Sequence, residues 1–393
     1  MIDSLIAANI SQRPLRTAIS IIGVALGVIL VTLFVGLARG MLHDAARRQS
    51  SVDAEVRFLP GGNVSLAGNP LMLQARYADA ILQGVQPTAD DPDIEPKPPI
   101  SGVAATSAVG EYVQGSVAGI GFEMVDGLDY ASFIKTTQLT VSKGRGLGDG
   151  RAPGTEYEAI VDHYYADMGK DIDGKPVGIG SKITVLGHEF TIVGIYEPSV
   201  LARVKIPLHT MQQLLGGAEN CTFVMVKCDR PELGDQVVEQ LRHYYPGNRV
   251  ILTNDIPALY SEGLAPVEIF LNVVIGLGLI ISVLVILLAM YTTIIERTRE
   301  IGILKSLGAS KRFIVITIEK EAALISAMGV ALGFAAAVIG KLWLEANTRL
   351  LVDLELKWLV IAALIGVLGG IIGAIYPAMR AANLDPVEAI SYD

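Results

Sequence analysis

The stretch IFLNVVIGLGLIISVLVILLAMYTTII, from Ile269 to Ile295, decides the fold of this chain. It contains no Asp, Glu, Lys or Arg, and it exceeds the roughly 20 residues that a helix needs to cross a hydrocarbon core of about 30 Å. Uncharged apolar stretches recur at Ala18–Ala38, Ala322–Gly340 and Trp358–Met379. The sequence therefore predicts a polytopic α-helical membrane protein with four transmembrane helices.

Composition agrees with this prediction, because 51% of the residues are hydrophobic, 18% are charged and the mean hydropathy is positive. The first stretch is longer than the core of a secretory signal peptide, about 7–15 residues, and it follows a polar segment. We interpret it as an uncleaved anchor. The third stretch is the weakest, because Glu319, Lys320 and Glu321 border it, and a buried soluble helix is the alternative there.

The cations near the span ends predict the orientation, since short cytoplasmic loops are enriched in Lys and Arg. The short loop between the third and fourth stretches contains only Lys341, Arg349 and Lys357. Both termini and the segment 296–321 are therefore expected in the cytoplasm, and the long insertion outside. The side assigned to the cytoplasm is richer in cations: Arg13, Arg16, Arg297, Arg299, Lys305, Lys311, Arg312, Lys320 and Arg380.

These boundaries divide the chain into a series of segments. They are a cytoplasmic amphipathic segment (1–17), transmembrane helix 1 with the start of a stalk (18–42), an extracytoplasmic α+β domain (43–265), transmembrane helix 2 (266–295), a cytoplasmic helix and loop (296–321), transmembrane helix 3 (322–344), a short outer loop (345–357), transmembrane helix 4 (358–379) and a cytoplasmic tail (380–393).

The inserted domain is acidic, which argues against nucleic-acid binding. Its alternating and helical patterns predict an α+β fold in two lobes. The predicted elements are a hairpin over Lys182–Val193 that turns at Gly187-His188, a strand over Cys221–Cys228, a helix over Pro231–Tyr245 and an irregular acidic connection over Pro87–Pro99.

The cysteines and histidines show neither the spacing of a disulfide nor that of a metal site. Seven positions along one strand would separate Cys221 from Cys228 by about 23 Å, so we expect no disulfide between them. The histidines at positions 163, 188, 209 and 243 lack the spacing of metal ligands, so no metal site is predicted.

Catalytic and nucleotide-binding motifs are also absent from the sequence, including the phosphate-binding loop with its Gly-Lys-Ser/Thr ending. We therefore expect a transport subunit without enzymatic activity and without a cofactor of its own. Ion-driven carriers place ionisable groups inside their spans. The spans predicted here contain none, which favours an energy-supplying partner over an ion-coupled carrier.

A short amphipathic helix between the second and third spans is a candidate docking surface for such a partner. Ile301, Leu304, Leu307 and Gly308 are predicted to lie on one side of it. Gly308 suits a left-handed helix end, and Ser310 can cap a following helix that begins at Lys311. Helical spacing alone leaves two interpretations open: a helix held in a partner's groove, or a turn resting on lipid headgroups.

The same segment, ERTREIGILKSLGA from Glu296 to Ala309, resembles the signature loop of the MacB/LolC/FtsX-type ABC transporter permeases. Arg13–Thr17 followed by Gly23–Val28 is similar to their approach to the first span. Pro377–Ala382 with Leu384–Ile390 resembles their C-terminal tail, and Gly180–Tyr196 their extracytoplasmic domain. The resemblance covers the chain from end to end.

The resemblance implies a bacterial inner-membrane permease with two cytoplasmic ABC ATPase subunits, which would bind ATP and Mg, and a second permease chain in a homodimer or a pseudo-symmetric pair. A separate ATPase chain is expected, because no fused ATPase segment precedes the first span. The loop between spans two and three would be the coupling helix on the ATPase. The residues carried over to that role are Arg297, Thr298, Arg299, Glu300, Ile301, Gly302, Leu304, Lys305, Leu307 and Gly308.

Three further predictions concern the membrane-side segments. Arg39, Arg47 and Arg48 suggest that the first helix continues outward as a stalk. Small residues are expected where spans pack closely: Gly23, Gly27, Gly329, Gly333, Gly369 and Gly373. The C-terminal motif comprises Pro377, Arg380, Asp385, Pro386 and Glu388, and its Asp-Pro-x-Glu order predicts the cap of a short helix.

The family implies mechanical transmission of ATP hydrolysis to the outer domain. We expect export or extraction of a drug, peptide, lipid or lipoprotein, with a periplasmic adaptor or an outer-membrane channel as further partners besides the lipid bilayer. An FtsX-like signalling transducer, which regulates an extracytoplasmic hydrolase without moving cargo, is the alternative.

Overall fold

The computed structural model describes residues 14–62, 71–87, 95–115, 122–169, 171–263, 265–348 and 350–385. The chain forms two compact units, one of residues 42–264 and the other of residues 1–41 with 265–393. The predicted amphipathic segment before Arg13 and the end of the C-terminal motif, Pro386 and Glu388, lie outside the described residues.

The first helix, α1, extends from Pro14 to Ser50. The helix continues through Gly36 and Gly40 and past Arg39 without a break. The predicted continuation beyond the first apolar stretch is therefore confirmed.

Short strands and helices alternate through the outer domain that follows. In chain order they are β1 (Val56–Leu59), β2 (Leu73–Gln74), α2 (Tyr77–Gln83), β3 (Val103–Gly115), β4 (Phe122–Leu128), α3 (Tyr130–Thr136), β5 (Thr140–Gly144), β6 (Glu158–Asp162), α4 (His163–Met168), β7 (Lys182–Val185), β8 (His188–Glu197), β9 (Val204–Pro207), α5 (Leu208–Leu215), β10 (Asn220–Cys221), β11 (Phe223–Cys228), α6 (Gly234–Tyr244), β12 (Arg249–Leu252) and α7 (Ile256–Gly263).

Within the described residues, ten of these strands form one sheet, in the order β12-β1-β11-β3-β4-β9-β6-β8-β5, with β7 paired to β8. The pairs β4–β9 and β6–β8 are parallel and the other pairs are antiparallel. The α+β class is confirmed. The two predicted lobes are halves of a single sheet, because β4 and β9 pair and join them.

Alternating side chains of the strands supply the hydrophobic cores on the two faces of this sheet. On β11, Val224 and Val226 face a core that α2 and α6 cover, whereas Phe223 and Met225 face the core on the opposite side with α3. Helices α4 and α5 cover the other half of the first face, where Phe190 belongs to the core.

The predicted hairpin is present as β7 and β8, but its turn lies one residue earlier, at Leu186-Gly187. Both turn residues have positive φ, 51° and 78°, as a tight two-residue hairpin turn requires. This register keeps Val185 and Phe190 on the buried face. Burial of the strand pair therefore decides the turn position, which the glycine alone did not reveal.

The predicted strand over Cys221–Cys228 is interrupted at Thr222, between β10 and β11. Thr222 donates its N–H to the Val109 carbonyl, and its hydroxyl accepts the N–H of Glu111 over 2.7 Å. The two cysteines are free, buried thiols on separate strands. The predicted helix over Pro231–Tyr245 is confirmed, as a 3-10 turn at Pro231–Leu233 followed by α6.

The second unit contains the remaining helices: α8 (Ala265–Glu296), α9 (Thr298–Ser306), α10 (Lys311–Asn347) and α11 (Leu356–Ala382). Among the described residues, four helices are long and apolar enough to cross a membrane, namely α1, α8, α10 and α11. The fold class predicted from the apolar stretches is confirmed. Helix α10 begins at Lys311 and includes the charged residues before Ala322.

Glycine lies where these helices approach one another. A methyl group on Gly329 of α10 would lie 2.7 Å from Val24 of α1, and one on Gly333 would lie 2.8 Å from Val28. On α11, a methyl group at Gly373 would meet the backbone carbonyl of Val283. Close helix contact of this kind requires small residues. The same holds for Gly23 beside Val285, Gly27 beside Ser282 and Gly369 beside Leu279.

Candidate functional site

The candidate coupling site is built around α9, which ends in a defined turn. Gly308 has a φ of 93°, a left-handed conformation that suits glycine. The N–H of Ala309 donates to the Leu304 carbonyl, and the N–H of Gly308 donates to the Lys305 carbonyl. This pair of bonds is the Schellman ending of a helix. The hydroxyl of Ser310 then accepts the N–H of Phe313 at 3.2 Å and caps α10, as predicted.

Helix α9 has one buried side. Ile301 is 8% exposed and belongs to the same core cluster as Ile314 and Ile318 of α10 and Ala378 of α11. Gly302 beside it is buried as well. This side of α9 therefore packs against the other helices of its unit.

The opposite side of α9 is open and largely apolar. Ile303 is 45% exposed, Leu304 40% and Leu307 80%. The carboxylate side chain of Glu300 is 66% exposed. At 100° per residue, positions 300, 303, 304 and 307 share one helix face. We call this set, Glu300 with Ile303, Leu304 and Leu307, the open face.

The sequence analysis placed Ile301 on the docking side together with Leu304 and Leu307, and this placement was wrong. Ile301 and Leu307 are six residues apart, so they lie about 120° apart around the helix. The core cluster takes Ile301, and Leu307 remains exposed. Ile303 of the open face was not among the predicted site residues.

Charged residues at the start of α9 connect it to α10. The Arg297 guanidinium is mostly buried and lies 3.7 Å from the carboxylate of Glu321 and 3.8 Å from that of Glu300. The Thr298 hydroxyl donates to the Ile294 carbonyl at 3.0 Å. Arg299 is exposed. Of the predicted charges in this region, Arg297 therefore holds the helix in place, whereas Arg299 and Glu300 point outward.

Two lysines turn toward the end of α11. The amine of Lys305 donates to the Ala382 carbonyl over 3.0 Å and also to the Leu384 carbonyl. The amine of Lys311 donates to the Asn383 side-chain oxygen over 2.8 Å. In the C-terminal motif, Pro377 lies buried inside α11. The guanidinium of Arg380 donates to the Tyr291 hydroxyl at 2.7 Å, and Asp385 is the last described residue.

A second group of polar residues surrounds the last turns of α1 in the outer domain. Asp44 accepts hydrogen bonds from Arg48 at 2.9 Å and from Arg203 at 2.8 Å. Arg203 also donates to the buried carboxylate of Asp162 at 2.7 Å. These carboxylates raise the pKa of Arg203 although its burial opposes that shift. Asp162 in turn caps α4.

Gln49, one turn later, joins two strands. Its Nε2 donates to Glu111 on β3 at 2.9 Å, and its Oε1 accepts from Arg57 on β1 at 2.5 Å. Burial, with the neighbouring Asp126 charge, raises the pKa of Glu111 to about 7. The last turn of α1 is therefore anchored on the sheet of the outer domain by buried charged groups.

A fully buried ion pair lies beside Glu111. The Lys205 amine on β9 is 2.9 Å from the Asp126 carboxylate on β4, and both side chains are inaccessible to solvent. The amine also donates to the carbonyls of Val200 and Ala202. Burial lowers the pKa of Lys205, and Asp126 opposes that shift.

Sequence analysis did not predict the buried charged residues Glu111, Asp126 and Lys205. One available signal was Lys205, which stands between Val204 and Ile206 in a strand whose residues are all buried. A lysine inside such an apolar run predicts a buried partner. The identity of that partner depends on the parallel pairing of β4 and β9, which no local pattern reveals.

These features define a class: a membrane protein with four apolar spans among the described residues and an α+β domain inserted after the first of them. Residues 17–244 match the model of the MacB-like periplasmic core domain, and residues 272–386 match the FtsX-like permease C-terminal model. The chain belongs to the family of MacB- and FtsX-type ABC transporter permeases, which confirms the resemblance found in the sequence.

Individual relatives are distant in sequence. The macrolide export ATP-binding/permease protein MacB of Shewanella oneidensis is 23% identical over 97% of this chain. The chain spans 59% of the length of that relative. The uncharacterized ABC transporter permease YknZ of Bacillus subtilis is 22% identical, over 98% of this chain and 97% of its own length. The solved extracellular domain of a YknZ transporter aligns with 50% of this chain and 99% of its own chain, at 12% identity and a TM-score of 0.35.

Proposed function

We propose that this chain is the permease subunit of an ABC transporter whose partner ATPase docks on the open face of α9. The observation that supports this is the division of α9 into two sides. Ile301 is held in the helix core, whereas Leu307 and its neighbours present apolar surface with one carboxylate. A short helix with anchors at i, i+3, i+4 and i+7 suits a groove in a partner protein.

In this proposal the partner supplies the energy. Two cytoplasmic ATPase subunits bind ATP and Mg, and a second copy of this chain completes a homodimer. The relative YknZ, matched over nearly its whole length, is named a permease.

The proposed output is movement of the outer domain. Helix α1 is continuous from Pro14 to Ser50, and its last turns are anchored on the sheet through Asp44, Arg48 and Gln49. A displacement of the packed spans is therefore delivered to the domain by a stiff element rather than a loop. Both termini lie in the cytoplasm of a bacterium, and the work done is export or extraction of a drug, peptide, lipid or lipoprotein on the outer side of the inner membrane.

The test uses the full chain purified with the ATPase that accompanies it from its own host. Leu307→Asp or Ile303→Asp places a charge in the open face, and we expect at least a roughly tenfold loss of co-purified ATPase, as at an interface hot spot. Ser306→Asp is the matched control, because Ser306 is exposed on a different side of the same helix. Normal elution on size-exclusion chromatography checks folding of each variant.

Undiminished ATPase binding and ATP turnover in both open-face variants would overturn the proposal. Export and signalling are separated by comparing cells that carry the wild-type complex with cells that carry an open-face variant in its place. Substrate efflux that stops with the open-face variants supports export. Unchanged efflux with loss of extracytoplasmic hydrolase activation contradicts export and supports an FtsX-like transducer.

A further inference from the structure

We infer that Lys305 and Lys311 fasten the coupling segment to the C-terminal end of α11, so that a displacement of α9 reaches this span directly. This inference rests on the proposed function, in which the partner ATPase docks on α9 and displaces this helix during ATP hydrolysis. The chain itself connects α9 only to α8 and α10. The contacts of Lys305 and Lys311 with residues 382–384 add a third, non-covalent connection, to α11, and we call these contacts the clasp.

The donors and acceptors of the clasp come from three elements. Lys305 of α9 donates to the carbonyls of Ala382 and Leu384 at the end of α11. Lys311, the first residue of α10, donates to the Asn383 side chain at 2.8 Å. The last carbonyls of a helix lack partners within the helix and carry partial negative charge. The Lys305 ammonium therefore satisfies a carbonyl at this helix end from outside, and the Lys311 ammonium holds the side chain of the C-cap residue Asn383.

Apolar side chains of α9 and α11 belong to one buried cluster. Ile301 of α9 shares a core cluster with Ala378, Ala381 and Ala382 of α11, and Leu384 packs against the same cluster. A lone exposed lysine contact would contribute little, because solvent competes for it. Here the Lys305 contact is partly buried, and Ile301 on the same helix belongs to that cluster, so this polar contact lies at the edge of packed side chains.

Helix α11 packs against the other spans, so a displacement that the clasp passes to α11 also reaches them. Gly366 of α11 lies against Val28 of α1, Gly370 against Ser326 of α10 and Gly373 against Val283 of α8. Helix α11 thus contacts each of the other described spans at a glycine. A displacement passed to α11 is shared with α1, the span that continues to Ser50.

The lysines of the clasp differ from the other cations of the same segment. Arg299 on α9 and Arg312 on α10 are both exposed. The Lys305 amine, predicted to meet the ATPase, is directed to α11 instead. The pair Arg299 and Arg312 therefore provides a control that removes the same charge from the same two helices.

The test begins with the full chain alone in lipid nanodiscs. Amide hydrogen exchange is measured at Asn383 and Leu384, whose N–H groups close the last turn of α11. In Lys305→Met/Lys311→Met we expect about tenfold faster exchange there, since local opening becomes easier. Arg299→Met/Arg312→Met is expected to exchange like the wild type, and Lys305→Arg/Lys311→Arg to restore slow exchange.

A second measurement adds the ATPase that co-purifies with the wild-type chain. ATP-dependent exchange changes at α11 are expected to be lost in the Lys→Met pair while ATPase binding persists. Wild-type exchange at the end of α11 in that pair, or equal acceleration in the arginine control, overturns the clasp and leaves ATPase docking intact. Failure of any ATPase to co-purify overturns the proposed function, while the nanodisc measurement still decides the clasp.

Discussion

Gln49, in the last turn of α1, donates a hydrogen bond to the buried carboxylate of Glu111 over 2.9 Å. The same side chain accepts from Arg57 over 2.5 Å, so one amide links the end of the helix to an acid on β3 and a base on β1. Glu111 lies directly across from Asp126 in the sheet. Two carboxylates on adjacent strands oppose full ionisation of both.

The first prediction concerns the pH dependence of outer-domain stability. Burial, then Asp126, raises the pKa of Glu111 from 4.5 to about 7, against the opposing effects of Gln49, Arg57 and Arg48. A raised pKa means that the stabilising contribution is complete below the unfolded value and is lost as the pH rises through about 7. Glu111→Gln should remove this loss and stabilise the domain at pH 8 by roughly 3 kcal/mol, with little effect at pH 4.5.

The buried thiols of Cys221 and Cys228 provide the measurement, since they react with a maleimide only after the domain opens. Rates in the full chain are divided by those in urea at each pH, which removes the intrinsic pH dependence of the thiols. Glu189→Gln, in an exposed ion pair with Lys182, is the control. Parallel pH profiles for the wild type and Glu111→Gln would contradict the assignment.

The second prediction concerns the buried pair Lys205–Asp126. Lys205→Met leaves the Asp126 carboxylate without its cation in a site closed to solvent, and we expect about 3–5 kcal/mol lower stability. The double variant Lys205→Met/Asp126→Leu should recover part of this loss, because neither charge of the pair is left without its partner. Lys182→Met, at a pair that is more than half exposed, should change stability by less than about 1 kcal/mol.

The same thiol-reactivity measurement reports the outcome for the Lys205–Asp126 pair. A double variant that is less stable than Lys205→Met alone would show that the two charges do not act as a compensated pair. Equal losses for Lys182→Met and Lys205→Met would show that burial does not govern the effect.

The features that the sequence predicted correctly are those that short-range interactions along the chain determine. The four spans follow from uncharged length, the α9 ending from Gly308, and the start of α10 from Ser310. The hairpin of β7 and β8 also followed from alternation and a glycine, although its turn was placed one residue late. Each of these features is encoded within one continuous segment of the chain, so tertiary contacts only adjust it.

The errors lie where distant segments meet. Helical spacing already separates Ile301 from Leu307 by about 120°, but only the presence of Ala378 and Ile318 shows that the Ile301 side is the buried one. The roles of Lys305 and Lys205 depend on acceptors 77 and 79 residues away. The single sheet of the outer domain depends on β4 pairing with β9 across several intervening elements. Such pairings leave no periodic signal in one sequence.

The third prediction separates the two sides of α9. Ile301→Ala removes buried methyl groups from the helix core, and we expect a loss of about 2–4 kcal/mol in stability. Leu307→Ala changes a side chain that is mostly exposed, and it should leave stability within about 0.5 kcal/mol of the wild type. Thermal unfolding of the full chain in detergent, followed by tryptophan fluorescence, measures both. Equal melting temperatures for the two variants would contradict the assigned orientation of α9.

The fourth prediction concerns a close approach of α11 to α8 at Gly373. A Cβ atom at Gly373 would lie 2.5 Å from the Val283 carbonyl oxygen, and backbone there cannot rotate away as a side chain can. Gly373→Ala should therefore push the two helices apart and cost roughly 1–3 kcal/mol, as overpacking does. Gly276→Ala is the matched control within α8, because nothing lies within 4 Å of its added Cβ and alanine favours the helix. A melting temperature lowered by Gly276→Ala as much as by Gly373→Ala would show that loss of glycine itself, rather than contact with Val283, is responsible. A lowered value for Gly373→Ala alone locates the constraint at that carbonyl, where α11 has no room to move toward α8.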